Sequence, residues 1–353
     1  MRRLNVLLTG AFTALMFVLF LVNVAVSQDD LSQKKQEKMI KLQEIDNKLN
    51  ASPSKEEYDA LMEQREKLAE EIREIDKKLK ADVEAMKKIN AVKKAYNEGN
   101  TAYRLGQYQQ AVSNYDKAIS MDSTFYKAYY GKGLALKRMR KYKEAIKAHQ
   151  GAVRHNPAYT EAYIAMGKIY SSRLGMADKA IETYKNAIEH DPSSHKAFYE
   201  LGAVYQNMKK NYRKAVENFQ KATQLKNDYD LAFFSLGVSL TELARYDQAV
   251  VAFENALAFT NRKNWEDPHA RLAVVYNKQG NCSKALEEAK LALAIEKKDA
   301  LAAYEAGKAS KCLGQYNQAI SYFENLKRNR QWRKVAEYEI DLIVNRDKYG
   351  GNN

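Results

Sequence analysis

Residues 128–157 decide the fold. They read Ala128-Tyr129-Tyr130-Gly131-Lys132-Gly133-Leu134-Ala135-Leu136, then a short basic turn, Lys137 to Lys141. Tyr142-Lys143-Glu144-Ala145-Ile146-Lys147-Ala148-His149-Gln150-Gly151-Ala152-Val153 follows, and Asn156-Pro157 closes the unit. An aromatic residue, a small residue four places on, two spaced alanines and a closing proline form its skeleton. That skeleton recurs on both sides at a period of about 34 residues. Gly99, Gly133, Gly167, Gly202 and Gly237 mark one column. Ala111, Ala145, Ala180, Ala215, Ala249, Ala285 and Ala319 mark a second, and Ala118, Ala152, Ala187, Ala222, Ala256 and Ala292 a third.

The columns resemble the tetratricopeptide repeat (TPR) family over residues 92–333. The resemblance implies an all-α fold, a right-handed superhelical solenoid of about seven helix pairs, here at 92–125, 126–159, 160–194, 195–229, 230–263, 266–299 and 300–333. The third and fourth repeats carry one extra residue in the inner turn. The glycine and alanine columns let paired helices approach closely. Tyr129, Tyr163, Phe198 and Phe233 from first helices, with Tyr115, Tyr184, Phe219, Phe253 and Phe323 from second helices, fill the space between. Pro157 and Pro192 end second helices, because proline has no amide hydrogen and its ring clashes with the preceding turn. The sixth repeat departs from the pattern, with Ala273 in the glycine column and His269 for the aromatic. After the seventh, Trp332, Val335, Ala336, Ile340 and Ile343 make an amphipathic stripe, a solvating cap at 331–348 of the kind repeat arrays need. Residues 349–353 read as a disordered tail.

The chain has 353 residues, with only 4 prolines and 15 glycines, and a formal net charge of +14. Residues 28–91 hold 14 basic and 16 acidic residues, so the positive charge lies in 92–353, with 42 basic against 28 acidic. A basic array raises the question of nucleic acid, and the N-terminus argues against it. Met1-Arg2-Arg3, an apolar run Val6–Val26 and the small residues Ala25 and Ser27 form an export pattern. Either residues 1–27 are a cleaved signal peptide, which places the protein in the periplasm or otherwise outside the cytoplasm, or the run is an uncleaved anchor in the inner membrane, being close to the ~20 residues that span a bilayer. No cysteine lies near the junction, which disfavours a lipid-modified terminus. The two cysteines, Cys282 and Cys312, open the second helix of one repeat and close the first helix of the next. Such ends are neighbours in a repeat stack, so the two are either disulfide partners or separate small residues.

Residues 28–91 form a helical arm. Ser54 with Glu57 makes a capping-box start. Tyr58, Arg65, Ile72, Leu79 and Met86 then recur every seven residues, as do Leu61, Leu68, Ile75 and Ile89, with Asp82 interrupting. This heptad seam fits either a hairpin in which 30–50 folds back on 55–80, or a coiled-coil homo-oligomer through residues 55–91. With no Gly or Pro between Ser54 and Gly99, one helix is predicted from about Lys55 to Leu105, roughly 75 Å long at 1.5 Å per residue.

Catalysis has little support. His149 and His269 occupy core columns, His155 and His190 precede inter-repeat turns, and His195 opens a helix. None makes a metal or nucleophile motif, and no glycine loop cradles a phosphate. No cofactor and no metal are implied. Binding has more support. In the TPR family first helices line a concave groove, and the resemblance places there Lys93, Tyr96, Asn100, Arg104, Lys127, Tyr130, Lys137, Arg138 and Lys168. Further along it places Tyr199, Phe234, Val238, Val274, Leu301, Tyr304 and Lys308. The first set is basic and the second more apolar. The family's carboxylate clamp finds its asparagine in Asn100, but Tyr96, Gly131, Glu161 and Ala165 stand at its other positions, so chaperone-tail recognition is not supported.

The reading is of an exported, non-enzymatic scaffold that grips a protein or peptide, one with acidic character, in its groove. A membrane-anchored assembly factor of a division, secretion or motility complex is the first alternative. A cell-wall or glycan-binding protein that stacks sugars on Tyr96, Tyr130 and Tyr199 is the second. The layout of leader, coiled coil and C-terminal repeats also resembles envelope cell-division coordinators.

Overall fold

The computed structural model describes residues 7–51, 53–260, 265, 267–346 and 348, and gives only the backbone for residues 7–28. The export segment 1–27 and the tail 349–353 lie outside the residues whose side chains are described. Among those that are, no helix is long and apolar enough to cross a membrane; the run Val6–Val26 is not one of them. The chain divides into two compact units, residues 1–166 and 167–353, and every regular element among the described residues is helical.

Unit 1 begins with α1 (Leu7–Asn50) and α2 (Lys55–Arg104). Ser54 caps α2 through the expected box: its hydroxyl accepts from the Glu57 amide, and the Glu57 carboxylate accepts from the Ser54 amide. The two helices form an antiparallel hairpin whose register is drawn by three ion pairs. Lys35 meets Asp76 at 2.6 Å, Lys38 meets Glu71, and Arg65 meets Asp46 at 2.7 Å. Arg65 therefore leaves the seam for a partner on the other helix. The hydrogen bond from Lys38 and its charge hold the Glu71 carboxyl below its usual range. Pairs this exposed add little stability; they select one register over its neighbours. Ile45 is buried in the seam, while Leu42, Leu61, Leu68 and Leu79 are half-buried.

α2 runs straight on into the first repeat, where Val92, Ala95, Gly99 and Ala102 are buried. It pairs with α3 (Tyr108–Met121). Next come α4 (Tyr126–Arg138), α5 (Tyr142–His155) and α6 (Thr160–Ser172), whose sequence crosses the boundary between the units. In unit 2 follow α7 (Ala177–His190), α8 (His195–Asn207), α9 (Tyr212–Leu225), α10 (Asp230–Glu242), α11 (Tyr246–Phe259), α12 (Asp267–Lys278), α13 (Cys282–Ile295), α14 (Ala300–Cys312), α15 (Tyr316–Leu326) and α16 (Arg333–Val344).

The glycine column is a set of sockets. A Cβ on Gly99 would lie 2.7 Å from the Tyr115 ring, one on Gly202 2.8 Å from Phe219, and one on Gly237 2.7 Å from Phe253. Each ring is fully or almost fully buried. The sixth repeat replaces both halves of the device at once, with Ala273 in the glycine column and Ala289 in the ring column, both fully buried. The ring is gone where the Cβ is added, so the steric conflict that keeps glycine in the other repeats does not arise.

The inner turns explain the unequal repeat lengths. Three residues join α4 to α5, whereas four join α8 to α9. Each turn needs one residue at positive φ. Gly106, Gly175, Gly280 and Gly314 supply it in four repeats, and Arg140, Lys210 and Ala244 do so in the other three. At the end of unit 2, α16 lays Ala336 and Ile343 on Phe323 and Leu326. Cys282 and Cys312 are bonded, their Cα atoms 6.2 Å apart, joining the first residue of α13 to the last of α14.

Candidate functional site

First helices of successive repeats lie beside one another, α2 with α4 in unit 1 and α8, α10, α12 and α14 in unit 2. The face they present away from their partner helices is the candidate site. Its upkeep is visible as polar ties. In unit 2, Lys168 pairs with Glu200 at 2.8 Å. The buried Gln206 donates to Ser239 Oγ at 2.9 Å and to the Ser235 carbonyl. Asn277 donates to Glu305 Oε2 at 2.6 Å, and Lys308 meets the same oxygen at 3.1 Å. The nearly buried Glu305 carboxylate is thus paired and hydrogen-bonded, as a buried charge must be.

In unit 1 the sequence-predicted residues gather on α2 and α4. Lys93, Tyr96, Tyr130 and Lys137 are half-buried; Arg104, Lys127 and Arg138 are exposed. Asn100 is engaged within the repeat, its Oδ1 accepting from the Tyr115 hydroxyl at 2.8 Å. Arg138 also has a partner: its Nε donates to the Tyr108 hydroxyl at 3.2 Å and its guanidinium lies over that ring. In unit 2, Tyr199, Phe234, Val238, Val274, Leu301, Tyr304 and Lys308 are half-buried and Lys168 is exposed. Of the first set, the residues of α2 and α4 lie in unit 1 and Lys168 lies in unit 2 with the second set.

The structure adds residues that the sequence reading passed over. Tyr96, Tyr130, Tyr199, Phe234 and Tyr304 each rest on the ring of their own repeat's second helix: Tyr115, His149, Phe219, Phe253 and Phe323. Each also meets a second ring, from the segment leading into the next first helix. Tyr96 meets Phe125 at 5.3 Å, Tyr130 meets Tyr159 at 5.1 Å and Tyr199 meets Tyr229 at 5.2 Å. Phe234 meets Trp265 at 5.3 Å and Tyr304 meets Trp332 at 5.0 Å. Each pair forms an aromatic notch on the face. The signal was present in the sequence, since Phe125, Tyr159, Tyr229 and Trp265 keep the repeat period.

Burial, and after it the charge of Glu161, raises the Tyr130 hydroxyl above its ordinary pKa; burial and the neighbouring Tyr130 do the same for Tyr159. These hydroxyls stay protonated and can donate. His149 stands apart. It fills the ring column above Gly133, is fully buried, and neither ring nitrogen has a hydrogen-bond partner. Desolvation, with a smaller effect from Lys137, pushes its pKa down to about 3.

Residues 99–139 and 173–209 match the family model for the TPR repeat, and residues 126–159 and 195–229 match one for the tetratricopeptide repeat. Within those spans the chain carries tetratricopeptide repeats. No curated protein matches the chain. Among solved structures, Pseudomonas aeruginosa pilF is 20% identical with a TM-score of 0.51, over 62% of this chain and 98% of its own. PilW, described as a widely conserved type IV pilus biogenesis factor, is 18% identical at 0.50 over 62% and 98%. YrrB, described as a TPR protein with an unusual peptide-binding site, is 22% identical at 0.47 over 53% and 95%. For pilF and PilW, at these identities, the likeness is one of fold. The matching family models are of a repeat, and neither is of a catalytic family.

Proposed function

We propose that this protein is an exported, non-enzymatic scaffold that holds a protein or peptide on the inner face of its TPR helices. The observation that carries the reading is the half-buried Tyr96 and Tyr130 of α2 and α4 in unit 1, flanked there by Lys93, Arg104, Lys127, Lys137 and Arg138. Aromatic anchors supply most of the energy at protein interfaces, and a basic surround steers an acidic partner. Export is supported by the leader pattern and by the Cys282–Cys312 bond, because disulfides persist in oxidising compartments.

The test is a pulldown from envelope extract with residues 28–353, beside a version carrying Lys93→Glu, Arg104→Glu, Lys127→Glu and Arg138→Glu. A protein lost only from the reversed sample supports the reading and identifies the partner. A protein retained by both moves the site off the basic face. The membrane-anchored assembly factor differs in one observable, the mass of the mature chain: loss of residues 1–27 removes the anchor. The α1–α2 hairpin favours an arm folded on itself over an oligomer seam, since its ion pairs are internal.

A further inference from the structure

The inner turns of unit 1 concentrate positive charge. From Lys137 to Lys143 the chain reads Lys-Arg-Met-Arg-Lys-Tyr-Lys, five cations in seven residues with no carboxylate. The end of α2 adds Arg104 beside Leu105. The two turns are tied side by side, since Arg138 at the end of α4 donates to the hydroxyl of Tyr108 at the start of α3, at 3.2 Å. Arg104, Arg138, Arg140, Lys141 and Lys143 are all exposed. The turn at the other end of α4, residues 122–125, has no cation.

Helix chemistry accounts for only part of this charge. Cations in the last turn of α4 complement its dipole, so Lys137 and Arg138 are ordinary there. Lys141 stands at the N-cap of α5 and Lys143 in its first turn, where the dipole disfavours positive charge. Arg140 has φ 61°, at the position that glycine fills in four other repeats. Three cations are thus kept where local stability would choose other residues, and strain retained in this way points to use.

The same edge exposes apolar surface. Leu105 is 68% exposed, and Met139, at the equivalent position of the next repeat, is half-buried. Nucleic acid would engage the cations and leave Leu105 in water. A bilayer of anionic lipid takes both, with phosphates at its surface and acyl chains just beneath. Two tied turn tips, each the outermost point of its helix pair, can meet a flat surface together.

We propose that the α2–α3 and α4–α5 turns of unit 1 form a docking edge for an anionic phospholipid surface, with Arg140, Lys141 and Lys143 at the headgroups and Leu105 in the interface. The edge is distinct from the inner face and does not rest on the scaffold reading.

The test is flotation of the full chain with vesicles of phosphatidylcholine, alone or with about one third phosphatidylglycerol. The readout is the ratio of the two partition coefficients, because the contribution of residues 1–27, Arg2 and Arg3 included, is common to every variant. The wild type is expected to prefer the anionic vesicles at least about 100-fold and to lose most of that preference at about 1 M salt. Arg140→Gly is expected to cut the ratio about fivefold while stabilising the second repeat, so lost binding cannot be read as lost folding. Adding Lys141→Gln and Lys143→Gln should bring the loss to about 100-fold. Leu105→Gln should weaken binding to the anionic vesicles about threefold. An unchanged ratio in the triple variant overturns the proposal. So does a wild type that shows no preference for anionic vesicles but binds polyglutamate through the same three cations, which would make the occupant an acidic protein.

Discussion

Replacing His149 with Phe should stabilise the second repeat, and by more as the pH falls. The column it occupies takes Tyr115, Tyr184, Phe219, Phe253 and Phe323 elsewhere, so a phenyl ring fits over Gly133 as it does over Gly202 and Gly237. At neutral pH the gain comes from removing two buried ring nitrogens without partners, about 1–3 kcal/mol for such groups. A second effect follows from the depressed pKa. The unfolded chain protonates His149 near the usual 6.5, while the folded chain resists until about 3. Between those values the unfolded state binds the extra proton, so the wild type loses stability as pH falls. Histidine to phenylalanine abolishes that loss. The gap between variant and wild type should widen by about 2 kcal/mol from about pH 7.5 to about pH 5. Other titrating groups are common to both proteins and cancel. Repeat arrays need not unfold in two states, so the readout is native-state hydrogen exchange at the amides of Ile146 to Ala152, corrected for intrinsic rates. A gap that stays constant over this range would show that His149 is not held neutral by burial, and a destabilised variant would show that the pocket is built for imidazole.

Three further outcomes follow from the packing. Gly237→Ala should destabilise the fifth repeat, because its Cβ would meet the Phe253 ring at 2.7 Å; Phe253→Ala should cost about 3–5 kcal/mol, and in urea melts the pair together should cost less than the sum, as Ala273 with Ala289 shows such a combination to be compatible with the fold. Arg140→Gly should add up to about 1 kcal/mol, since Arg140 sits at φ 61° where a side chain is strained; hydrogen exchange in the second repeat reads it. Cys282→Ser should lower stability by about 3–4 kcal/mol for a bond closing a separation of 30 residues, and reduction of the wild type should match it in a denaturant melt of the sixth and seventh repeats.

The periodic features were the legible ones. Small columns at a fixed interval name both helices of every pair, and the Ser54–Glu57 box with the absence of Gly and Pro to Gly99 places α2 within a residue of its observed ends. The seam of residues 55–89 could not decide between folding back and associating, because heptads state only that an apolar stripe is covered. The partners of Lys35, Lys38 and Arg65 lie on the other helix of the same hairpin, and no local pattern reveals that. The first-helix aromatics were legible by column: Tyr96, Tyr130, Tyr199, Phe234 and Tyr304 each rest on the second-helix ring of their own repeat. The second row, Phe125, Tyr159 and Tyr229, keeps the repeat period but lies in inter-helix turns, where no helical stripe assigns it to a face. Nor could spacing reveal that Asn100 is engaged by Tyr115 and Arg138 by Tyr108.

The most direct test of the central claim places a photo-crosslinking amino acid on one face at a time in the full chain. At position 130 it replaces Tyr130 on α4; at position 147 it replaces the exposed Lys147 on α5. After illumination in envelope extract, the account expects a cross-linked protein from position 130 and none from position 147. A cross-link from position 147 alone, or equal cross-links from both, would contradict binding on the inner face.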